Sequence, residues 1–164
     1  VDVDVKQAFQ GTIDDYVYFP AGVNRLTGPQ ALSFVRERKA FGDGDFQRVR
    51  NQQTFIKALM TKMAAEGVLS DRNTVKQLVA TVLPHVTVDP GLTVETLERL
   101  AFSLRSTAPG NGVFFTLPTA GVGTTVTGQS VIWQNPAATA AISAALSSGT
   151  LGEYIAANGL QNGN

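Results

Sequence analysis

The sequence contains no cysteine, which excludes a disulfide framework, a zinc ribbon and a thiol nucleophile. Histidine occurs once, at His85, so no second imidazole is present to share a metal with it. No apolar run approaches the roughly 20 residues needed to cross a bilayer. Charge is also scarce: 16% of residues are charged, and thirteen basic side chains balance thirteen acidic ones. That balance argues against nucleic acid or anionic lipid held by bulk charge, so any chemistry has to be local. Ser33, Ser70, Ser103 and Ser130 lack the Gly-x-Ser-x-Gly setting of a hydrolase nucleophile. Gly121-Val-Gly123 is followed by no helix start and reads as a turn rather than a dinucleotide fingerprint.

What is present is a globular composition, 43% apolar over 164 residues, enough for one core. Val1 to Val5 alternate with period 2, and Asp15 to Phe19 are aromatic and β-branched, so both read as strands. A strand pattern at the first residue predicts that structure upstream is missing. Thr27-Gly28-Pro29-Gln30 is a helix start, with a threonine cap, proline in the first turn and glutamine closing a capping box. Helical spacing resumes from Asp45 or Phe46 to about Ala65. Ser70 or Asp71 and Thr93 cap two further helices, the first running to Leu83 and the second through Leu104. Val113 to Leu117 reads as a strand, Ser130 to Trp133 as its partner, and Asn135-Pro136 as the start of an alanine-rich helix. Trp133, at a strand end, suits a core edge or a sugar-stacking face. The sum predicts an α/β fold with helices packed on the faces of a mixed sheet over residues 1–150, and an extension or frayed tail over 151–164.

The stretch from Phe34 to Gln53 holds five of the thirteen basic residues. On a helix beginning near Asp45, at about 100° per residue, Arg48 and Gln52 share a stripe with Phe55, Ile56 and Leu59. A charged side chain on a core-facing stripe needs an anionic partner. Asp45 offers one inside the protein, but Arg36, Arg38 and Arg48 together leave positive charge over. Arginine forks suit a pyrophosphate, and the start of the helix beyond Gly44 favours an anion. Arg50 points away from this stripe. Arg36 and Arg38 can face one site only where the chain has left the helix between them. Against this stands the reading that Asp45 with Arg48, and Glu37 with a nearby lysine, are ordinary surface ion pairs.

The ordered set Leu26-Thr-Gly-Pro-Gln-Ala-Leu-Ser-Phe-Val-Arg-Glu-Arg38, Gly44-Asp45-Phe-Gln-Arg48 and Gln52-Gln53 resembles the LytR-CpsA-Psr family of bacterial cell-wall ligases, in an actinobacterial form. The likeness is specific over residues 22–60 and looser beyond. It implies the C-terminal portion of a membrane-anchored transferase domain on the extracytoplasmic face of the cell membrane. Such an enzyme moves a phosphoglycan of the teichoic acid, arabinogalactan or capsule type from a polyprenyl-pyrophosphate carrier to peptidoglycan. Residue by residue, the resemblance assigns Arg36, Arg38, Arg48 and Gln52 to substrate binding and Asp45 and Arg48 to catalysis. It implies an apolar tunnel for the lipid, for which Phe55, Leu59 and Leu100 are candidates beside Met63, Leu78, Leu97 and Leu104. Magnesium is implied as cofactor, with ligands from an N-terminal portion that would accompany this chain, which alone would be weak or inactive. Asn51 departs from the pattern where many members have arginine. A non-catalytic module that binds lipid-linked or phosphorylated glycan is the alternative, and binding of nucleic acid through Arg48 and Arg50 is not expected.

Overall fold

The computed structural model describes residues 1–13, 16–87, 89, 91–103 and 112–160. It divides into two compact units, Val1–Gly112 and Val113–Asn164. The mixed α/β class is as expected, but among the described residues the strands form three separate two-stranded antiparallel ladders rather than one sheet. Strands of two to six residues offer little edge for further pairing.

In the first unit β1 (Asp2–Val5) pairs with β4 (Gly22–Arg25), and β2 (Phe9–Gln10) pairs with β3 (Tyr18–Phe19). The alternation of β1 sends Val3 and Val5 into the core and Asp2 and Asp4 outward. Asp2 lies opposite Arg25, and the Arg25 guanidinium beside it lowers the Asp2 pKa. The expected strand from Asp15 shrinks to two residues, because Tyr16 turns with a positive φ of 50°; Asp15 itself lies outside the described residues. Phe9, Phe19 and Phe34 are buried together, with Phe9 stacked on Phe19 at 4.8 Å and Phe41 tilted against Phe9 at 4.8 Å. Such aromatic pairs add roughly 0.5–1.5 kcal/mol each beyond the area they bury.

Two helices rest on this core. The first, α1 (Gly28–Arg36), begins at Thr27, whose backbone N–H donates to Gln30 Oε1 at 2.9 Å. The second, α2 (Asp45–Ala65), packs along α1 and β1 and brings Phe55 and Ala58 against the aromatic cluster. Further along, α3 (Arg72–Val82) starts at Asp71, which accepts from the Thr74 N–H at 2.8 Å, and α4 (Val94–Ser103) starts at Thr93, which accepts from the Thr96 N–H at 3.2 Å. Hydrogen bonds from Thr74 lower the Asp71 pKa. The two helices pack together, with the Arg72 guanidinium 4.8 Å from the Phe102 ring centre. Leu104 lies outside the described residues.

The second unit holds β5 (Thr119–Thr124), β6 (Ser130–Gln134), α5 (Pro136–Ser147) and α6 (Leu151–Ala157). The expected strand at Val113–Leu117 is displaced. A tight turn closes from the Thr125 N–H to the Gln129 carbonyl at 2.9 Å, with Gly128 at φ 81°, and it sets Thr124 opposite Ser130. The six residues before the turn therefore become the strand, and the apolar run upstream stays outside the ladder. Gly121-Val-Gly123, expected to turn, lies within β5 around a bulge. A β-carbon on Gly123 would stand 2.3 Å from the Trp133 indole nitrogen, so glycine there makes room for the ring.

Asn135 Oδ1 accepts from the Ala138 N–H at 3.1 Å and starts α5. Gly149, at φ 75°, ends it with the Thr150 N–H returning to the Ala145 carbonyl at 2.8 Å. The segment expected as an extension or frayed tail opens with a helix, whose Ile155 is buried; residues 161–164 lie outside the described residues.

Candidate functional site

A cavity of about 520 Å³ opens beside the junction of α1 and α2, lined by Thr12, Ile13, Val35, Arg36, Arg38, Lys39, Arg48, Val49 and Gln52. Four of these side chains are cations and none is a carboxylate. Arg36 and Arg38 reach the same cavity because α1 stops between them: Glu37 takes an extended conformation, φ −60° and ψ 131°, so the two arginines need not diverge as they would on a helix.

Asp45 does not line the cavity. Its Oδ1 stands 3.1 Å from Arg38 Nε and 2.9 Å from Arg48 Nη2, joining an arginine from each side. Oδ1 is shut off from solvent and makes no aligned hydrogen bond, so the contact is one of charge with charge. Both arginine side chains keep part of their surface open, 55% for Arg38 and 38% for Arg48. On α2 the cavity is lined by Arg48, Val49 and Gln52, with Arg48 in the first turn after Gly44.

The next turn of α2 builds the scaffold. Gln52 Nε2 donates to the Val35 carbonyl at 3.2 Å, and buried Asn51 donates to the Phe34 carbonyl at 3.2 Å while accepting from Gln47 Nε2 at 2.9 Å. Two carbonyls of the last turn of α1, which the helix leaves unpaired, are satisfied by side chains of α2. Asn51 thus faces α1. Arg50 is not among the residues that line the cavity. It pairs with Asp43 and donates to Gln47 Oε1 at 3.0 and 2.7 Å, bracing the turn before α2.

The sequence does not mark three features of the site. Lys39 and Thr12 line the cavity, and Glu37 underlies it. Far from being a surface ion pair, Glu37 is fully buried. Its Oε1 accepts from the backbone N–H groups of Arg38 at 2.9 Å, Lys39 at 2.8 Å and Ala40 at 3.0 Å, and from the Thr12 hydroxyl at 2.9 Å. Its Oε2 accepts from the Thr12 backbone N–H at 2.5 Å. Burial alone would raise the Glu37 pKa; hydrogen bonds from Thr12, Ala40 and Arg38 outweigh it and hold the carboxyl below its ordinary value. The available signal was an acidic residue just past a helix end, followed by three residues free to turn back on it.

The lipid-tunnel candidates are not gathered here. Phe55 packs on the aromatic core, while Leu59 and Leu100 are 36% and 53% exposed, and none of the three lines the cavity. No helix among the described residues is long and apolar enough to cross a membrane. Nor do the described residues fit magnesium: they contain no group of three or more acidic or histidine side chains that could hold a metal, and Asp45 is engaged by two arginines. His85 is exposed in a short helical turn.

The sequence pattern of the LytR-CpsA-Psr family matches residues 1–147. The cell wall biosynthesis protein LcpA of Corynebacterium glutamicum is 33% identical over 115 residues, which cover 70% of this chain and 22% of that protein. The crystal structure of B. subtilis TagV superposes with a TM-score of 0.68 at 20% identity, covering 91% of this chain and 56% of that one; at this identity the likeness is one of fold. The chain thus spans less than a quarter of LcpA and a little over half of the TagV chain.

Proposed function

Because the chain belongs to the LytR-CpsA-Psr family, we propose that the protein of which it forms part transfers a phosphoglycan from a polyprenyl-pyrophosphate carrier to peptidoglycan. The work would be done outside the cytoplasmic membrane. The observation that supports this most is the cavity lined by Arg36, Arg38, Lys39 and Arg48, with no carboxylate among its described lining residues. Its cationic lining suits a diphosphate, and arginine forks bind phosphate oxygens in pairs.

In this reading Arg36, Arg38 and Arg48 hold the pyrophosphate oxygens, with Lys39 adding a fourth charge. The acceptor hydroxyl attacks the phosphorus that bears the glycan, the bond from that phosphorus to the bridging oxygen breaks, and the polyprenyl phosphate departs with the electron pair and takes up the proton that the hydroxyl gives up. The arginines stabilise the charge gathering on the leaving group, so no covalent enzyme intermediate is required. Asp45 serves by aiming Arg38 and Arg48, since both stand against its inner oxygen. Gln52 steadies the end of α1 through the Val35 carbonyl. Magnesium would be held by residues of an N-terminal portion of the protein.

The test is binding of geranylgeranyl pyrophosphate, followed by calorimetry on the full-length protein. Arg38→Ala and Arg48→Ala should each weaken it about tenfold or more, the loss of a charge-assisted contact worth roughly 1.5–3 kcal/mol. Unchanged affinity in both variants removes the pocket assignment. Tight binding without glycan transfer to peptidoglycan by the wild-type protein would favour a glycan-capturing module instead.

A further inference from the structure

Glu37 touches no solvent and is not among the residues that line the basic cavity, yet its carboxylate joins two walls that are. On one side are the backbone N–H groups of Arg38, Lys39 and Ala40; on the other are the N–H and hydroxyl of Thr12, 25 residues earlier. Arg38, Lys39 and Thr12 all face the cavity. Gly11 lets the Thr12 wall approach, because a β-carbon there would stand 2.9 Å from the Val17 carbonyl and 3.6 Å from Glu37 Oε2. A carboxylate is the side chain suited to this place: it has acceptor sites on both oxygens and no donor to set against five incoming hydrogens.

We propose that Glu37 is a positioning residue for the basic cavity, tying the Thr12 wall to the 38–40 wall and so fixing the gap in which the phosphate groups are gripped. The proposal rests on the anion-binding reading above and adds how the cations are spaced. Backbone groups form three of the four ties to Oε1, so what Glu37 fixes is the path of the chain beneath Arg38 and Lys39. That path sets where their side chains begin, and pre-organised cations lose less freedom when a ligand arrives.

The sign of one substitution separates positioning from bare electrostatics. Glu37→Gln removes a negative charge next to an anion site, which by charge alone tightens anion binding. It also turns an amide NH2 toward donors, loosening at least one wall. Calorimetric titration of the full-length protein with inorganic pyrophosphate should therefore show Glu37→Gln binding about tenfold more weakly. Exchange of the Lys39 and Ala40 amides should be faster, at a temperature where circular dichroism shows wild type and variant equally folded. Equal or tighter binding overturns the proposal.

Should Glu37→Gln fail to fold, the exposed partner decides. Thr12→Val removes the hydroxyl tie and Thr12→Ser restores it, so valine should weaken pyrophosphate several-fold and speed Lys39 exchange while serine returns both. Identical affinity and exchange in the two variants also overturns the proposal. Arg38→Ala, titrated alongside, keeps the two readings apart. If it is without effect, the anion site itself is gone and Glu37 with it; if it abolishes binding while Glu37→Gln binds normally, only the positioning role falls.

Discussion

The turn at residues 37–40 and the first turn of α2 each centre on one carboxylate, and the two are held by opposite means. Glu37 accepts from rigid partners, three consecutive backbone N–H groups and both donors of Thr12. Asp45 faces two guanidiniums at the ends of long side chains and makes no aligned hydrogen bond with either. A carboxylate bound to backbone decides where the chain runs, and its loss is felt by the fold. One bound to side-chain charge decides where those side chains point, and its loss is felt at the site. The first is buried and shielded from salt; the second is partly open and screened.

The largest expected effect follows from the buried member. Glu37→Ala leaves five donors without their acceptor. At roughly 1–3 kcal/mol for each buried group that water does not reach, a total loss of about 3–5 kcal/mol is expected, since Thr12 can turn to solvent. Urea unfolding measures it, and a loss below about 1 kcal/mol would put Glu37 on the same footing as Asp45. Acid sharpens the point. The folded Glu37 carboxyl titrates below its ordinary value of 4.5, so between the two values the unfolded chain binds more protons than the folded one. The stability it contributes is fully present above about pH 4.5 and is lost as pH falls through the folded value. Between pH 6 and about pH 3 the wild type should lose more stability than Glu37→Gln does.

A smaller effect probes the same region from its neighbour. Gly11→Ala drives a β-carbon to 2.9 Å from the Val17 carbonyl, and the β2–β3 connection has to move away from Glu37. Strain of this kind costs about 1–3 kcal/mol, visible as a lowered melting temperature; an unchanged melt would mean that the Thr12 wall is free to shift and that Glu37 does not fix it.

The two carboxylates also differ in how far the sequence discloses them. Asp45 stands one helical turn before Arg48, and helical spacing alone brings the two together; they are found 2.9 Å apart. The capping residues Thr27, Asp71, Thr93 and Asn135 are equally local and start helices where expected. Glu37 is flanked by Arg36, Arg38 and Lys39, which give its surroundings the look of a solvated surface. Its decisive partner is Thr12, brought near by the pairing of β2 with β3, and no local pattern encodes that contact. The displaced hairpin has a similar cause. Apolar content points to Val113–Leu117, whereas the strand is placed by the turn at residues 125–129. Likewise β4 is a strand because β1 lies beside it, not because Gly22 to Arg25 favour one.

The half-buried member of the pair, Asp45, should yield the smallest change in stability and the clearest split in function. Asp45→Asn keeps the shape of the side chain and removes its charge. Ion pairs as open as these are worth roughly 0–1 kcal/mol, so urea unfolding should differ from wild type by less than that. Inorganic pyrophosphate should bind no more weakly than to the intact protein, because a negative charge at the edge of the cavity has been removed and all four cations remain. The rate of glycan transfer should nevertheless fall, because Arg38 and Arg48 lose the common anchor that aims them and the leaving phosphate meets them in fewer productive arrangements. An affinity that holds while turnover drops is the signature of side chains misdirected on an intact frame. If Asp45→Asn instead unfolds the protein as readily as Glu37→Ala, Asp45 belongs to the frame as well, and the division between a carboxylate that shapes the chain and one that aims the arginines no longer stands.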